Sequence, residues 1–222
     1  MIDKTLTSLQ EAIKKIADGS TVMIGGFGTA GQPSELIDAL IEHGAKDLTV
    51  VNNNAGNGDV GLAALLKAGQ VKKIICSFPR QSDSYEFYKL YHAKKIEMEL
   101  VPQGTLAARI QAAGSGLGAI YTPTGFGTLL AEGKESKVIN GKGYLLEYPI
   151  HADFALVKAF KGDRWGNLTY RMSARNFGPI MAAAAKCTIA QVSDVVPLGE
   201  IDPEHVITPG IFVKHVIAVR QK

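Results

Sequence analysis

Asp18-Gly-Ser-Thr-Val-Met-Ile-Gly-Gly-Phe-Gly-Thr-Ala-Gly-Gln-Pro33 is an apolar, β-prone run that ends in a glycine loop and passes into the start of a helix. Thr21 to Ile24 suit a buried strand, because β-branched and apolar side chains fill a pleated surface. Gly25, Gly26, Gly28 and Gly31 strip the loop of side chains that would keep a ligand off the main chain. Pro33 suits the first position of the next helix, where its missing N–H is not needed. Chemistry is expected to gather in this loop.

The same order of strand, special loop and helix recurs downstream. Leu36, Ile37, Leu40 and Ile41 give a helix that stops at Gly44, and Leu48 to Val51 form the next strand, which runs into Asn52-Asn-Asn-Ala-Gly56. Leu62, Leu65 and Leu66 mark a short helix, Lys72 to Phe78 a third strand, and Ser82 to His92 an aromatic-rich helix. Ile96 to Val101 alternates as a half-exposed strand, enters Pro102-Gln-Gly104, and is followed by a helix from Thr105 to Ala113. Ahead of all these, Leu9, Ala12, Ile13 and Ile16 give a surface helix after Thr7-Ser-Leu-Gln10, read as a capping box. Short connections of this kind favour right-handed parallel crossovers. Ligands of open parallel sheets bind beyond the carboxyl ends of the strands, which puts the glycine loop, Asn52 to Asn54, Phe78 to Ser82 and Gln103 on one rim.

The second half is richer in loops. Gly143 to Pro149 and Asp153 to Phe160 read as strands, and Asp163-Arg-Trp-Gly-Asn167 predicts a hairpin from the latter to Leu168–Arg171. A helix from Pro179 to Ala185 and strands at Thr188–Val192 and Phe212–Val219 close the chain. The expected fold class is therefore α/β: one open, mostly parallel sheet flanked by helices, with an antiparallel excursion, all in a single domain over residues 1–222.

Gly26-Phe-Gly-Thr-Ala-Gly31 is a literal G-x-G-x-x-G at the opening of a helix, which raises a dinucleotide-binding turn. Such a turn calls for an acidic residue roughly 20 positions on, after the second strand. Here that strand runs into asparagines, and Asp47 precedes it. A nicotinamide-dependent oxidoreductase loses its best support, while a bare backbone suited to an anionic or bulky ligand remains.

Composition narrows the classes further. Hydrophobic residues make up 46% of 222 positions and charged residues 20%, as in ordinary folded proteins, and the net charge of +3 comes from scattered basic residues, which gives nucleic-acid binding no support. Cys76 and Cys187 are the only cysteines and form no C-x-x-C, and His151 and Asp153 lack a third ligand, so no disulfide framework and no metal are expected. No apolar run reaches the roughly 18 residues that span a bilayer, and no signal peptide is recognised, so the expectation is a cytoplasmic protein with no membrane contact.

Taken together, Gly25-Gly-Phe-Gly28, Gly31-Gln-Pro33, Asn53-Asn-Ala-Gly56, Pro102-Gln-Gly-Thr-Leu-Ala107, Thr122-Pro-Thr-Gly125 and Ala174-Arg-Asn-Phe177 closely resemble the A (α) subunits of family I CoA-transferases over nearly the whole chain. The resemblance implies the CoA-transferase fold and a substrate, CoA or acyl-CoA, with no permanently bound cofactor. It also implies a B subunit, in a heterodimer or heterotetramer, that supplies a nucleophilic glutamate from a Ser-Glu-Asn-Gly stretch. This chain holds no Glu-Asn dipeptide. By resemblance Gln103 matches the donor to the thioester oxygen, and Asn53 and Asn54 match asparagines near substrate. Gly25, Gly26, Phe27, Gly28, Thr29, Ala30 and Gly31 match the segment assigned to CoA. Ser77 to Tyr85, His151 to Phe154 and Lys161 to Gly166 look most like the members that carry CoA from succinyl-CoA to 3-oxoadipate, and acetoacetate or acetate stands as the alternative acceptor. Arg80, in the first of these loops, is the candidate for gripping the second carboxylate of 3-oxoadipate.

Plainer readings stand beside these. Gln103 would serve as a turn residue between Pro102 and Gly104, and the asparagine run as turn formers that bond their own backbone. Glu132, followed by Gly133, reads as a solvated loop carboxylate rather than a local nucleophile, and both cysteines read as core thiols. A non-catalytic CoA-binding module is the alternative from a different functional class.

Overall fold

The computed structural model describes residues 1–219. After β1 (Thr5–Leu6) and α1 (Leu9–Ile13), a strand–helix unit is repeated in β2 (Thr21–Ile24) and α2 (Ser34–His43), β3 (Leu48–Val51) and α3 (Leu62–Lys67), β4 (Val71–Cys76) and α4 (Tyr85–His92), and β5 (Glu97–Leu100) and α5 (Gln103–Gly114). The excursion β6 (Ile120–Thr122), β7 (Ser136–Ile139) and β8 (Lys142–Glu147) follows. The chain then returns through β9 (Ala152–Asp163), α6 (Gly178–Ala184), β10 (Ala185–Val196) and β11 (His215–Ala218).

Among the described residues eight strands form one sheet in the order β1-β11-β10-β9-β2-β3-β4-β5, and every pairing in it is parallel. The excursion makes a separate antiparallel sheet, β6-β8-β7. The mostly parallel α/β architecture with an antiparallel excursion is thus the observed one. From β2 the chain steps outward to β5, and from β9 it steps the other way to β11, with β2 and β9 side by side. That neighbouring pair is the topological switch point, where a crevice opens beyond the strand ends.

Alternation along each strand divides the core between the two faces of the sheet. Val22 and Ile24 join Ile13, Leu36, Leu40, Leu65 and Phe87 on one face, whereas Met23 joins Leu106, Ile110 and Met181 on the other. Each fully buried Leu, Ile or Met contributes about 1.5–3 kcal/mol, so both layers of helices are fastened by their apolar stripes. Local signals set the ends. Ser8 Oγ accepts from Glu11 N at 3.3 Å to start α1, one residue later than the box read at Thr7, and Gly44, at φ +80°, closes α2. Pro33 caps α2 from just outside rather than occupying its first turn.

The structure keeps the expected hairpin only at the end of the Asp153–Phe160 strand and sets the rest of that strand inside the parallel sheet. β9 runs parallel to both its neighbours, with Met23 opposite Ala155 and Leu156 opposite Ile189. Ala155, Leu156 and Val157 are buried, and an apolar run covered on both faces belongs in the middle of a parallel sheet. The chain does reverse after Asp163, whose Oδ1 accepts from Trp165 N and Asn167 N at 2.9 and 3.0 Å. Past the reversal Asp163 N donates to Asn167 O at 3.2 Å, Thr169 N to Lys161 O at 3.0 Å and Phe160 N to Thr169 O at 2.7 Å, so the segment after Asn167 folds back antiparallel on the end of β9 as expected, although only through Leu168 and Thr169. No helix among the described residues is long and apolar enough to cross a membrane.

Candidate active site

The glycine loop leaves β2 as a tight two-residue reversal: Phe27 N and Ala30 O lie 3.0 Å apart, and Ala30 N and Phe27 O 3.2 Å apart. Gly25 N continues the sheet ladder to Leu156 O at 2.9 Å, which moors the loop to β9. Gly31 meets the segment after Arg171 so closely that a Cβ there would lie 2.5 Å from Ala174 O, and its φ of +74° suits glycine. Asn176 Nδ2 holds the same loop from the other side by donating to Ala30 O at 2.9 Å.

This geometry rules against a dinucleotide turn. α2 begins at Ser34, after the reversal, and its Leu36 N–H is taken by Gln191 Oε1 at 3.2 Å. A helix end that starts beyond the glycine turn and gives one of its free amide hydrogens to a buried glutamine is a poor seat for a pyrophosphate.

Beside the loop, the ends of β3, β4 and β5 bring a set of amides together. Asn52 Nδ2 donates to Ile24 O at 2.6 Å, and Asn52 Oδ1 accepts from Asn54 N at 2.8 Å, so the first asparagine locks the β3 exit onto β2. Asn54 Oδ1 accepts from Gly28 N at 2.8 Å. Asn53 Oδ1 accepts from Ser77 Oγ at 2.7 Å and from Gln103 Nε2 at 3.1 Å. Asn53 and Asn54 are only 0% and 3% exposed, so their side chains are committed to neighbours. Gln103, the first residue of α5, is exposed and presents the remainder of its amide to the rim.

Of the residues expected from sequence, Gly28, Asn53, Asn54 and Gln103 thus meet in one network, with Gly25, Gly26, Phe27, Thr29, Ala30 and Gly31 around it in the loop. Arg80 lies two residues beyond Phe78, exposed at the same rim and outside this network. Ser77, named from sequence only as the first residue of a resembling loop, is the contributor whose role sequence reasoning did not find, and Asn52, placed on the rim by its position, acts as a lock rather than a ligand group. Their roles depend on contacts with distant strands, and the available signal was only that each directly follows a buried strand.

Two aromatic rings flank the amides: Phe27 is 48% and Phe78 53% exposed, and Asn54 Nδ2 faces Phe78 O at 3.4 Å. Large exposed rings beside buried polar groups mark a surface that something covers. On the other side of Gly31 a cleft of about 290 Å³ is lined by Lys158, Phe160, Arg171 and Ser193. The Arg171 guanidinium lies 5.7 Å from the Phe160 ring centroid, so the cleft offers positive charge to an anionic group.

The rim offers hydrogen-bond donors but no ready nucleophile. Cys76, at the end of β4, is buried, which pushes its thiol up to about 12. Burial also raises the Cys187 thiol, which lines a separate cleft of about 630 Å³ with Lys15, Lys186, Lys214 and His215 at the amino ends of the strands. Asp153 belongs to that end: its oxygens accept from Thr21 N at 3.0 Å and from Lys186 Nζ at 2.9 Å, which makes it a fastener of strand starts. Among the described residues no three His, Cys, Asp or Glu side chains are grouped to hold a metal. Glu132 is exposed in the excursion. What the rim can do is donate from neutral amides to an oxygen that gains negative charge.

Comparison with known proteins bears on this arrangement. The family described as Coenzyme A transferase matches residues 6–219. The chain is 72% identical to the A-type subunit of 3-oxoadipate CoA-transferase from Acinetobacter baylyi, over 99% of this chain and 96% of that one. It is 70% identical to the corresponding 3-oxoadipate CoA-transferase chain from Pseudomonas putida, over 99% and 95%. Among solved structures, glutaconate coenzyme A-transferase from Acidaminococcus fermentans shares the fold at a TM-score of 0.87 and 23% identity, over 98% of this chain and 76% of that one.

Proposed function

The chain belongs to the coenzyme A transferase family, and on that premise we propose that it is the A-type half of a two-subunit enzyme that moves CoA from succinyl-CoA to 3-oxoadipate. The observation that carries the acceptor is the high identity, over almost the whole chain, to two proteins named for that acid.

The chemistry follows from the groups present and from one that is missing. No Glu-Asn dipeptide occurs in the chain, so the attacking carboxylate comes from a B-type partner, as the resemblance implies. When that carboxylate attacks the thioester carbon, the C=O electrons move to oxygen, and the Gln103 amide donates to the oxygen as its charge grows. A neutral donor suits this step, because an ammonium there would pair with the attacking carboxylate and blunt it. The glycine loop, free of bulky side chains except Phe27, gives CoA a close approach to the main chain, and Arg80 meets the distal carboxylate of 3-oxoadipate.

The test is to express the chain with its B-type partner and to assay succinyl-CoA against 3-oxoadipate, acetoacetate and acetate in parallel. The highest kcat/KM is expected with 3-oxoadipate. A complex that prefers acetoacetate or acetate overturns the acceptor while leaving the transferase intact.

A further inference from the structure

The oxygen and nitrogen ends of a side-chain amide are alike in size, but a neighbour of fixed polarity tells them apart. The Gly28 N–H can only donate, and it lies 2.8 Å from Asn54 Oδ1. The other end of that amide, Nδ2, faces the Phe78 carbonyl, in agreement. Asn54 Oδ1 also accepts from Asn53 Nδ2 at 3.1 Å, which turns Asn53 Oδ1 toward its remaining neighbours. Two donors meet it there, Ser77 Oγ and Gln103 Nε2. The polarity of one backbone amide in the glycine loop therefore passes through Asn54 and Asn53 and sets the nitrogen of Gln103 inward. Gln103 gives one N–H to Asn53 and keeps the second for the rim.

We infer that Ser77 is a positioning residue for the transfer: its hydroxyl, 2.7 Å from Asn53 Oδ1, anchors in place the oxygen that Asn54 has turned toward Gln103. The inference rests on the role proposed above for Gln103. Asn53 is fully buried and shared among three side chains; Asn54 fixes which end of its amide faces Gln103, and the Ser77 hydroxyl, which can donate or accept, fixes where that end lies. Without the Ser77 hydroxyl the Asn53 oxygen keeps its polarity but loses an anchor, and the amide tilts more freely. The Gln103 nitrogen bonded to it then loses its set position at the rim. Ser77 reaches the thioester oxygen only through this chain of contacts.

The test uses the complex with the B-type partner and compares Ser77→Ala, Ser77→Cys and Ser77→Thr, with Ser77→Ala also made over Gln103→Ala. Loss of one hydrogen bond to an oriented amide predicts a fall in kcat of about tenfold for Ser77→Ala, with KM for succinyl-CoA within about twofold. Ser77→Cys, a weak donor, is expected to follow Ser77→Ala, and Ser77→Thr, which keeps the hydroxyl, to stay within about threefold of the parent. Over Gln103→Ala, the Ser77→Ala change is expected to add less than about twofold, because a residue that acts through Gln103 has nothing left to orient. An unchanged kcat in Ser77→Ala, or a tenfold loss that persists over Gln103→Ala, overturns the inference. Full activity in Gln103→Ala would overturn the role of Gln103 itself, a separate result read from the single variant.

Discussion

Gln103 Nε2 lies 3.1 Å from Asn53 Oδ1, a bond that joins the start of α5 to the loop after β3 across 50 residues of sequence. It places the exposed glutamine over a buried amide network instead of leaving it to swing in solvent, and pre-set donors are what a developing oxyanion requires. Gln103→Ala is expected to lower kcat of the assembled enzyme by about 100-fold or more, with little change in melting temperature. A large drop in melting temperature with normal turnover per folded molecule would return Gln103 to the status of a turn residue.

The glycine loop gives a prediction about stability. Gly31→Ala forces a Cβ against Ala174 O and a positive φ on a residue that disfavours it, whereas the Gly28→Ala Cβ meets nothing within 4 Å and bears only its φ of +60°. Backbone strain of this kind costs about 1–3 kcal/mol, and the clash adds to it at Gly31 alone. Thermal denaturation should therefore rank parent, Gly28→Ala and Gly31→Ala in falling order. Equal melting temperatures for the two variants would mean that the segment at Ala174 yields freely.

Asp153 supplies a pH dependence. Its carboxyl is held below the usual range by the backbone hydrogen bond from Thr21 and by Lys186. A carboxylate whose value is depressed on folding adds stability that is present above its ordinary value, near pH 4, and is lost as pH falls through the folded value. Asp153→Ala should then be less stable than the parent by about 1 kcal/mol at neutral pH, and the two should converge as the solution is acidified. Denaturant melts at pH 7 and pH 3 decide this, and a gap that stays constant would contradict it.

Arg80 stands exposed just after Phe78 and Pro79, beyond the carboxyl end of β4 on the rim that holds Gln103. Arg80→Met in the assembled enzyme is expected to raise KM for 3-oxoadipate about tenfold while leaving acetoacetate, which lacks the second carboxylate, within about twofold. Equal losses on both acceptors would assign Arg80 to CoA or to structure.

The strand–helix units from β2 to α5 were legible because their apolar periods, glycine stops and short connections all agree. At β9 the local hairpin signal Asp163-Arg-Trp-Gly-Asn167 could be read because the reversal it forms is local, whereas the parallel pairing of Leu156 with Ile24 and Ile189 joins distant segments and could not. β7 escaped notice because all four of its residues are exposed and carry no alternation. In the site, the residue types at Gly28, Asn53, Asn54 and Gln103 could be read from their place after strands. That Asn53 is buried and partnered by Ser77 could not, because the bond spans 24 positions and two strands.

The proposed division of labour gives this chain the binding and oxyanion groups and gives its partner the carboxylate that is acylated. The direct measurement is to incubate the purified complex with succinyl-CoA in the absence of acceptor, quench it, separate the two chains and weigh each by mass spectrometry. The partner chain is predicted to gain the mass of CoA less one water, as a thioester on a glutamate, while this chain keeps its own mass. A CoA adduct on this chain, or transfer by this chain purified free of any partner, would contradict that division.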